Sequence, residues 1–430
     1  MTHSRIGAIL ATIPLMASLC MAQINIGDKL ERKAKERLER KVDKTIDKGF
    51  DKTEEGVDKG AKEATKGSKD KKPESDDAVD SEVEDPSGYQ TSLRAYSKFD
   101  FVPGDQLIAF EDFSQDAVGD FPARWNTNSS GEVVTVDGAE GRWFKFGGSG
   151  MAYPESLGVL PEQFTLEFDV TGLEEQVSCS DLYVYLRTAE GSLLSEKVDG
   201  MVRLRVVPRG AGTDGEPYSE VQIWDREGND AMSNTRSLTA PASTMRPPIS
   251  RVSIQRQKGR LRMYLDEEKV WDLPRAFSDA INYRLVLENN GCEEQPILIT
   301  NLRVAVGAPD VRNKLITDGR LVTHGILFDS GKDQVKPESY GTLKEIATAL
   351  NENPSVKVRI IGHTDSDGDD AKNLDLSKRR AAAVKDALIT EFKVDAGRMQ
   401  TDGKGESDPA GPNDTPAGKA NNRRVEFVKL

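Results

Sequence analysis

Two charged residues in the last third of the chain could together hold a small ionic group. Asp365 follows the predicted strand 356–361, in which apolar residues alternate with Lys357 and Arg359 before Ile360 and Ile361, and Arg380 lies fifteen residues later in an amphipathic helix. Both side chains should therefore reach the sheet edge at which that strand ends. Arg380 shares a helix face with the apolar residues Leu376 and Val384, and an inward-pointing arginine needs an anionic partner. That partner is either a bound ligand or a protein carboxylate such as Asp365.

Few other residues in the sequence could do chemistry. The three histidines, His3, His324 and His363, lie far apart, which excludes a His-rich zinc site and leaves little from which to build a Ser-His-Asp triad. Some glycan-cleaving sandwich enzymes carry Glu-x-Asp-x-x-Glu on one strand, so that two carboxylates flank the bond. The nearest match begins at Glu167, and Gly172 stands where the second glutamate should be. The sequence therefore predicts no catalytic residue, no cofactor and no enzyme activity.

The acidic run 365–370 suggests a calcium loop at first sight. An EF-hand loop has glycine at its sixth position and glutamate at its twelfth, whereas this run has Asp370 and Leu376 there. The run is therefore interpreted as a solvated loop, and no metal site is predicted.

The overall charge argues against nucleic acid as a partner. The 430 residues include 59 Lys and Arg against 72 Asp and Glu, a net charge of −13, whereas a phosphate-binding surface needs a basic excess. The same length predicts roughly two to four folding units.

The elements that must position Asp365 and Arg380 alternate between strands and helices. The pattern predicts strand 325–328, helix 338–351, strand 356–361, helix 375–392, strand 399–403 and strand 424–428. Strands that alternate with amphipathic helices form β-α-β crossovers on one sheet. We therefore expect an α+β domain over residues 311–430 with the order β-α-β-α-β-β.

Short motifs in this part of the chain stand in the order and spacing of a known family. They are Phe328-Asp-Ser-Gly331, Gly362-His-Thr-Asp365, Asn373-Leu-Asp-Leu-Ser377, Arg380-Ala381, Gly403-Lys-Gly-Glu406, Pro409, Asn413 and Asn421-Asn-Arg-Arg-Val425. On these motifs, residues of about 315–430 resemble the OmpA-like peptidoglycan-binding domain. The resemblance implies binding to the diaminopimelate side chain of peptidoglycan stem peptides, without catalysis.

The resemblance also assigns roles to individual residues. Diaminopimelate carries an ammonium next to a carboxylate, so its receptor needs an anion and a bidentate cation close together. In the family, the position of Asp365 faces the ligand ammonium and that of Arg380 faces its carboxylate. Four further candidates for ligand contact are Gly362, Thr364, Asn373 and Arg424. Asn373 is equally suited to cap the following helix, and of Arg423 and Arg424 one could contact the ligand while the other pairs internally.

The segment 91–310 has a different, two-residue period. Runs such as 164–170, 182–186 and 201–206 alternate apolar with polar residues and are separated by Gly, Pro, Asn and Asp. This pattern predicts an all-β antiparallel sandwich that resembles the jelly rolls of the concanavalin and laminin-G group. A glycan is one possible partner of this sandwich. A membrane barrel shows the same alternation, but aromatic residues make up only 6% of the chain, too few for two aromatic girdles.

The first 90 residues predict export followed by a solvated spacer. Arg5 and the apolar run 6–20 predict a signal peptide over residues 1–22, with lipidation at Cys20 as the alternative. Residues 23–72 should form a charged helical segment, which is either a solvated spacer or, because basic residues lead in 29–40, a contact for a membrane surface or a partner helix. Residues 73–90 should form an acidic linker. Removal of the leader leaves Cys179 and Cys292, which form either one disulfide or two separately buried thiols.

Together these features predict a non-enzymatic protein of a Gram-negative-type cell envelope. It would be exported to the periplasmic face of the outer membrane and would bind diaminopimelate-type peptidoglycan through residues 311–430. Its other parts would link the wall to the outer membrane or to periplasmic partners. The alternatives are an OmpA-type outer-membrane porin with the same C-terminal anchor and a glycan-binding or glycan-cleaving sandwich.

Overall fold

The computed structural model describes residues 99–430 apart from 173–179, 198, 207–217, 239–248, 292–293 and 308–309. The predicted signal peptide, charged helical segment and acidic linker lie outside the described residues, as do Cys179 and Cys292 with their predicted disulfide. The described residues belong to one compact unit. It contains two large hydrophobic cores, one built from residues 113–304 and one from residues 311–427.

The middle of the chain consists of antiparallel strands arranged in two sheets. The strands are β1 (Gln106–Glu111), β2 (Trp125–Thr127), β3 (Gly131–Val134), β4 (Trp143–Phe146), β5 (Gly150–Pro154), β6 (Gln163–Gly172), β7 (Asp181–Thr188), β8 (Met201–Val206), β9 (Tyr218–Trp224), β10 (Asp230–Ser237), β11 (Ser250–Gln257), β12 (Arg260–Leu265), β13 (Glu268–Leu273), β14 (Tyr283–Asn290) and β15 (Ile297–Val306). One sheet has eight strands in the order β13-β12-β11-β6-β15-β4-β3, and β1 also pairs with β15. The other has seven strands in the order β10-β9-β8-β7-β14-β5-β2.

Alternation along these strands sends apolar side chains into the core between the sheets. In β7, Leu182, Val184 and Leu186 belong to this core, whereas Tyr183 and Tyr185 belong to a separate cluster. Burying an apolar side chain of this size contributes about 1.5–3 kcal/mol. The prediction that this part of the chain is built from antiparallel strands is confirmed.

The eight-stranded sheet carries buried charges on β6, β11 and β15. Glu167 is 4% exposed and accepts hydrogen bonds from Arg251 at 3.2 Å and from Arg303 at 2.9 Å. Asp169 accepts a hydrogen bond from Arg251 at 2.8 Å. A buried carboxylate that is held between two arginines is not a free acid or base. This pairing argues against a glycan-cleaving site at Glu167.

Residues 99–104 lie between this sheet and the C-terminal part of the chain. The rings of Phe99 and Phe101 pack edge-on against Tyr264 of β12, with centroids 5.4 Å and 5.5 Å apart. Tyr340 of the C-terminal part packs against the same three rings. An aromatic cluster therefore joins the sandwich to the C-terminal part.

The C-terminal part is a four-stranded sheet with two long helices. Its elements are β16 (Arg320–Thr323), α1 (Tyr340–Glu352), β17 (Val358–His363), α2 (Asp370–Thr390), β18 (Met399–Gly405), α3 (Pro416–Asn422) and β19 (Val425–Lys429), with short helical turns at Asn313–Thr317, Pro337–Ser339 and Ala396–Arg398. The strand order is β16-β19-β17-β18, in which β17 and β18 are parallel and the other pairs are antiparallel. Leu343 and Ile346 of α1 and Val384 and Leu388 of α2 enter the core beneath this sheet.

Two details of this part differ from the sequence-based prediction. The first strand is Arg320–Thr323 and not 325–328, because Ile326 and Phe328 pack against the core from a loop in which Phe328 forms an isolated bridge. The short helix α3 precedes β19, so the described elements follow the order β-α-β-α-β-α-β. Pro416 at its start and the capping side chain of Thr415 are sequence signals for this helix.

Each helix among the described residues is too short or too polar to cross a lipid bilayer. In the same residues, no three His, Cys, Asp or Glu side chains are arranged so that they could hold a metal ion.

The packing of α1 against residues 99–104 predicts that Gly341→Ala destabilises the fold. A Cβ at Gly341 would lie 2.1 Å from the carbonyl oxygen of Phe101, so the backbone would have to move. Helix propensity favours alanine by up to about 1 kcal/mol, but overpacking of this kind costs about 1–3 kcal/mol. Urea unfolding should therefore give a lower midpoint for this variant.

The matched control is Gly158→Ala, because a Cβ at Gly158 would meet nothing within 4 Å. This control should unfold at the wild-type urea concentration. A Gly341→Ala variant as stable as the control would contradict the close packing of α1 on Phe101.

Candidate ligand-binding site at the edge of the C-terminal sheet

The loop between β17 and α2 carries Asp365. β17 ends at His363, and Asp365 follows two residues later at the carboxyl edge of the sheet. α2 begins at Asp370 because the side chain of Asp369 accepts a hydrogen bond from an amide of the first turn. Asp369 is thus the helix cap, which leaves Asn373 free of that role. Asp365, which is 8% exposed, lies beside the N-terminal turns of α2.

Asp365 forms an ion pair with Arg423, which follows α3. The Oδ2 atom of Asp365 accepts a hydrogen bond from Nη1 of Arg423, and its Oδ1 accepts one from the amide of Asp367 at 3.3 Å. Beside this pair, Lys419 donates to the carboxylate of Asp367 at 2.6 Å. The side chain of Arg423 is 41% exposed, so a ligand in solution could reach the pair.

Arg380 is held by backbone carbonyl groups instead of a carboxylate. Its Nε donates to the carbonyl oxygen of Lys332 at 2.9 Å, and its Nη2 donates to that of Asp329 at 3.0 Å. Its guanidinium group lies 4.8 Å from the ring centroid of Phe328. In the described part of the chain no ion pair joins Arg380 to Asp365, so the two side chains do not directly neutralise each other.

Asp365, Arg380 and Arg423 form a group that we call the charge cluster. Burial lowers the pKa of Arg380, the charge of Asp365 raises it, and the charges of Arg379 and Arg423 lower it further. Arginine stays protonated at any ordinary pH, so the cluster holds two guanidinium cations and only one carboxylate, which pairs with Arg423. The charge cluster can therefore attract an anionic group, and Asp365 adds an acceptor for a cationic one.

Gly362 and Asn373, two of the predicted ligand-binding residues, have structural contacts at this edge. A Cβ at Gly362 would lie 2.2 Å from the carbonyl oxygen of Ser377, so glycine is needed where β17 packs on α2. The Nδ2 of Asn373 donates to the carboxylate of Glu406 at 2.7 Å and to the carbonyl oxygen of Asp367 at 3.1 Å. Asn373 thus fixes the shape of the loop that carries Asp365.

The side-chain hydroxyl of Thr364 has no hydrogen-bond partner among the described residues. The amide of Thr364 donates to the carbonyl oxygen of Gly405 at 2.9 Å, which continues the pairing of β17 with β18. The Oγ1 atom itself is buried. A buried hydroxyl of this kind is costly unless something satisfies it.

Arg424, one of the two arginines considered for ligand contact, pairs within the protein and is not part of the charge cluster. Its guanidinium group donates to the carboxylate of Glu426 at 2.9 Å and to the carbonyl oxygen of Asp408 at 3.0 Å, and its side chain is 3% exposed. Arg424 lies directly before β19, which contains Glu426, whereas Arg423 follows the last residue of α3 and donates to Asp365. The glutamate two positions after Arg424 is the sequence signal for this internal pairing.

A cavity of about 400 Å³ opens beside Glu426. Its lining includes Lys314, which pairs with Asp105, and Arg320 and Arg424, which both pair with Glu426. These basic groups are already neutralised by protein carboxylates, so the cavity is a weaker candidate site than the charge cluster.

Two histidines of the C-terminal part are kept neutral. His363 is 3% exposed and its Nε2 lies 3.5 Å from Glu426, yet burial and the neighbouring Arg424 lower its pKa to about 4. Burial and the nearby Arg303 of the sandwich lower the pKa of His324 to about 4 as well. Neither side chain can accept a proton readily near neutral pH.

These two histidines predict a loss of stability as the pH falls from 6.5 to 4. In this range the unfolded chain, whose histidine pKa is about 6.5, binds protons that the folded chain does not bind. The free energy of unfolding should fall with pH by up to about 1.4 kcal/mol per unit for each histidine. Denaturant unfolding of His363→Gln at several pH values should give a shallower decline. A decline as steep as that of the wild type would contradict a neutral, buried His363.

Comparisons with known proteins match the segment that contains this site. The model of the OmpA family matches residues 327–423. Outer membrane porin F of Pseudomonas aeruginosa is 46% identical over 101 residues, which are 24% of this chain and 29% of that protein. The probable lipoprotein YiaD of Escherichia coli is 45% identical over 105 residues, which are 24% of this chain and 48% of that protein.

A solved structure gives a match of similar extent. The peptidoglycan-associated lipoprotein from Burkholderia pseudomallei is 30% identical, with 24% of this chain and 88% of that chain covered and a TM-score of 0.23. The chain spans less than half the length of the two curated relatives named above. The similarity thus concerns about a quarter of the chain, and residues 327–423 are a domain of the OmpA family.

Proposed function

We propose that residues 311–430 bind the free amino-acid end of diaminopimelate in peptidoglycan stem peptides. The observation that carries this proposal is the unequal pairing in the charge cluster, where Asp365 pairs with Arg423 while Arg380 has no carboxylate partner among the described residues. A ligand carboxylate could receive charge-assisted hydrogen bonds from both guanidinium groups, while the ligand ammonium pairs with Asp365. The charges of the cluster and of the ligand would then match at both ends.

The contacts of Arg380 support this arrangement. Its Nε and Nη2 hold the backbone of the 329–332 loop, whereas its Nη1 makes no hydrogen bond among the described residues. The ring of Phe328 supports the guanidinium group from one side. Little side-chain ordering is then needed when a ligand binds, and preorganisation of this kind favours affinity.

The hydroxyl of Thr364 offers a further donor beside the cluster. It is buried and unsatisfied among the described residues, and it lies next to Asp365 in the chain. A bound ligand could satisfy it, so we keep Thr364 as a ligand-binding candidate and replace Arg424 with Arg423.

The proposed activity is binding without catalysis. Asp365 is paired with Arg423, His363 is buried and neutral, and Glu167 is held between two arginines, so these groups are poorly suited to act as general bases. Peptidoglycan repeats its stem peptide many times. Weak single contacts therefore give strong retention when several protein molecules are attached to the same wall.

We further propose that the chain is an exported envelope protein at the periplasmic face of the outer membrane. The match to a relative named as an outer-membrane protein supports this location. The separate cores of residues 113–304 and 311–427 support a sandwich domain over 91–310 and an anchor domain over 311–430. The sandwich and the preceding residues would then link the wall to the outer membrane or to periplasmic partners.

The proposal predicts that Asp365→Ala, Arg380→Ala and Arg423→Ala each weaken binding to diaminopimelate-type sacculi by about 10- to 100-fold. This range corresponds to the loss of one charge-assisted hydrogen bond, about 1.5–3 kcal/mol. The measurement is cosedimentation of the full chain with purified sacculi over a range of wall concentrations.

Arg379→Ala is the matched control for this experiment. Arg379 precedes Arg380 in α2 but pairs at the surface with Asp333 at 2.7 Å and with Asp375 at 2.8 Å. This variant should sediment like the wild type, and sacculi with lysine in place of diaminopimelate, which lack the side-chain carboxylate, should bind poorly. Undiminished sedimentation of all three cluster variants would refute the proposed site.

A further inference from the structure

We propose that the sandwich completes the wall-binding site, with Phe110 of β1 as a positioning residue for Arg423. The inference rests on the function proposed above, because it assigns Arg423 a ligand contact. It adds a residue that lies outside the OmpA family match, more than 200 positions before the start of that match. The binding site would thus be shared by two parts of the chain whose sequence patterns predict separate domains.

The contact that carries the inference is between an aromatic ring and a guanidinium group. The Cζ of Arg423 lies 5.7 Å from the ring centroid of Phe110, which is within the range of a cation–π interaction. The same guanidinium group donates to Asp365 through its Nη1. Arg423 is therefore held from two directions, by a carboxylate of its own domain and by a ring of the sandwich.

Further contacts keep this part of the sandwich against α3. The Nε2 of Gln115 donates to the carbonyl oxygen of Asp414, just before α3, at 3.3 Å. The pKa of Lys419 in α3 is raised by its hydrogen bond to Asp367 and, more weakly, by the charge of Asp112, which follows β1. Because several contacts connect the two surfaces, the approach of Phe110 to Arg423 is part of a wider interface.

A bound ligand makes the ring more important. In the free protein, Asp365 neutralises Arg423 and fixes the direction of its guanidinium group. When the ligand ammonium also engages Asp365, this carboxylate is shared between two cations and restrains Arg423 less. The ring of Phe110 does not compete for the ligand, so it can keep Arg423 directed at the ligand carboxylate throughout binding.

The experiment compares Phe110→Ala, Phe110→Leu and Phe110→Trp in the full chain, with diaminopimelate-type sacculi as the probe. A partly exposed cation–π contact is worth a factor of about two to five in affinity, so the alanine and leucine variants should bind about two- to five-fold more weakly. Leucine retains apolar bulk but has no π face, whereas tryptophan retains the π face. The tryptophan variant should therefore bind like the wild type.

Two further measurements separate positioning from a general structural effect. Ile108→Ala is the control, because Ile108 lies in the same strand and is 43% exposed, and it should leave binding unchanged. In an Arg423→Ala background, Phe110→Ala should cause no additional loss, since the residue it positions is gone.

Each outcome bears on one of the two proposals. Wild-type binding by Phe110→Ala, full binding by Phe110→Leu, or an equal loss from Phe110→Ala with and without Arg423 would overturn the role of Phe110. In all three cases a loss of binding in Asp365→Ala and Arg380→Ala would leave the wall-binding function standing. Undiminished binding by the Asp365, Arg380 and Arg423 variants together would instead remove the wall-binding site, and the role of Phe110 with it.

Discussion

The close approach of α2 to β17 and β18 is the constraint on which the charge cluster depends. Three glycines of these strands, Gly362, Gly403 and Gly405, lie so near the helix that a Cβ on each would be 2.2, 2.4 and 2.9 Å from its atoms. Ser377 fills the contact, is fully buried, and accepts a hydrogen bond from the amide of Gly405 at 2.9 Å. Because the helix and the strands touch here, the loop after β17 and the side chain of Arg380 lie at the same edge of the sheet.

The amphipathic pattern of the C-terminal domain predicts both long helices, because each helix buries one apolar stripe in a single core. The sequence pattern places the start of α2 five residues late, at 375 and not at Asp370, because the first turn is polar and depends on the cap at Asp369. The pairing of Asp365 with Arg423 could not be predicted from either segment alone. It joins residues 58 positions apart, and the neighbouring Arg424 pairs with Glu426 instead.

The contact between the sandwich and the C-terminal domain also lies beyond the sequence pattern. Glu167, Arg251 and Arg303 occupy the polar positions of alternating strands, and such positions are normally read as facing water. Here Glu167 and Arg303 are buried and Arg251 is partly buried, and the charges of Asp169 and Arg251 act on the pKa of Lys336 in the C-terminal domain. Charged residues can be buried when they pair with one another. Alternation of apolar and polar residues therefore predicts the strands, but it does not predict which face of the sheet is covered by another part of the chain.

Residues 99–104 determine how mechanical tension would travel through the folded chain. A pull applied ahead of Phe99 would first strain the rings of Phe99 and Phe101 against Tyr264 and Tyr340. Since Tyr340 begins α1 and the carbonyl group of Phe101 abuts Gly341, part of that force would pass straight into the C-terminal domain. The sandwich would then carry only part of the force, whereas a domain connected to its neighbours only end to end would carry all of it.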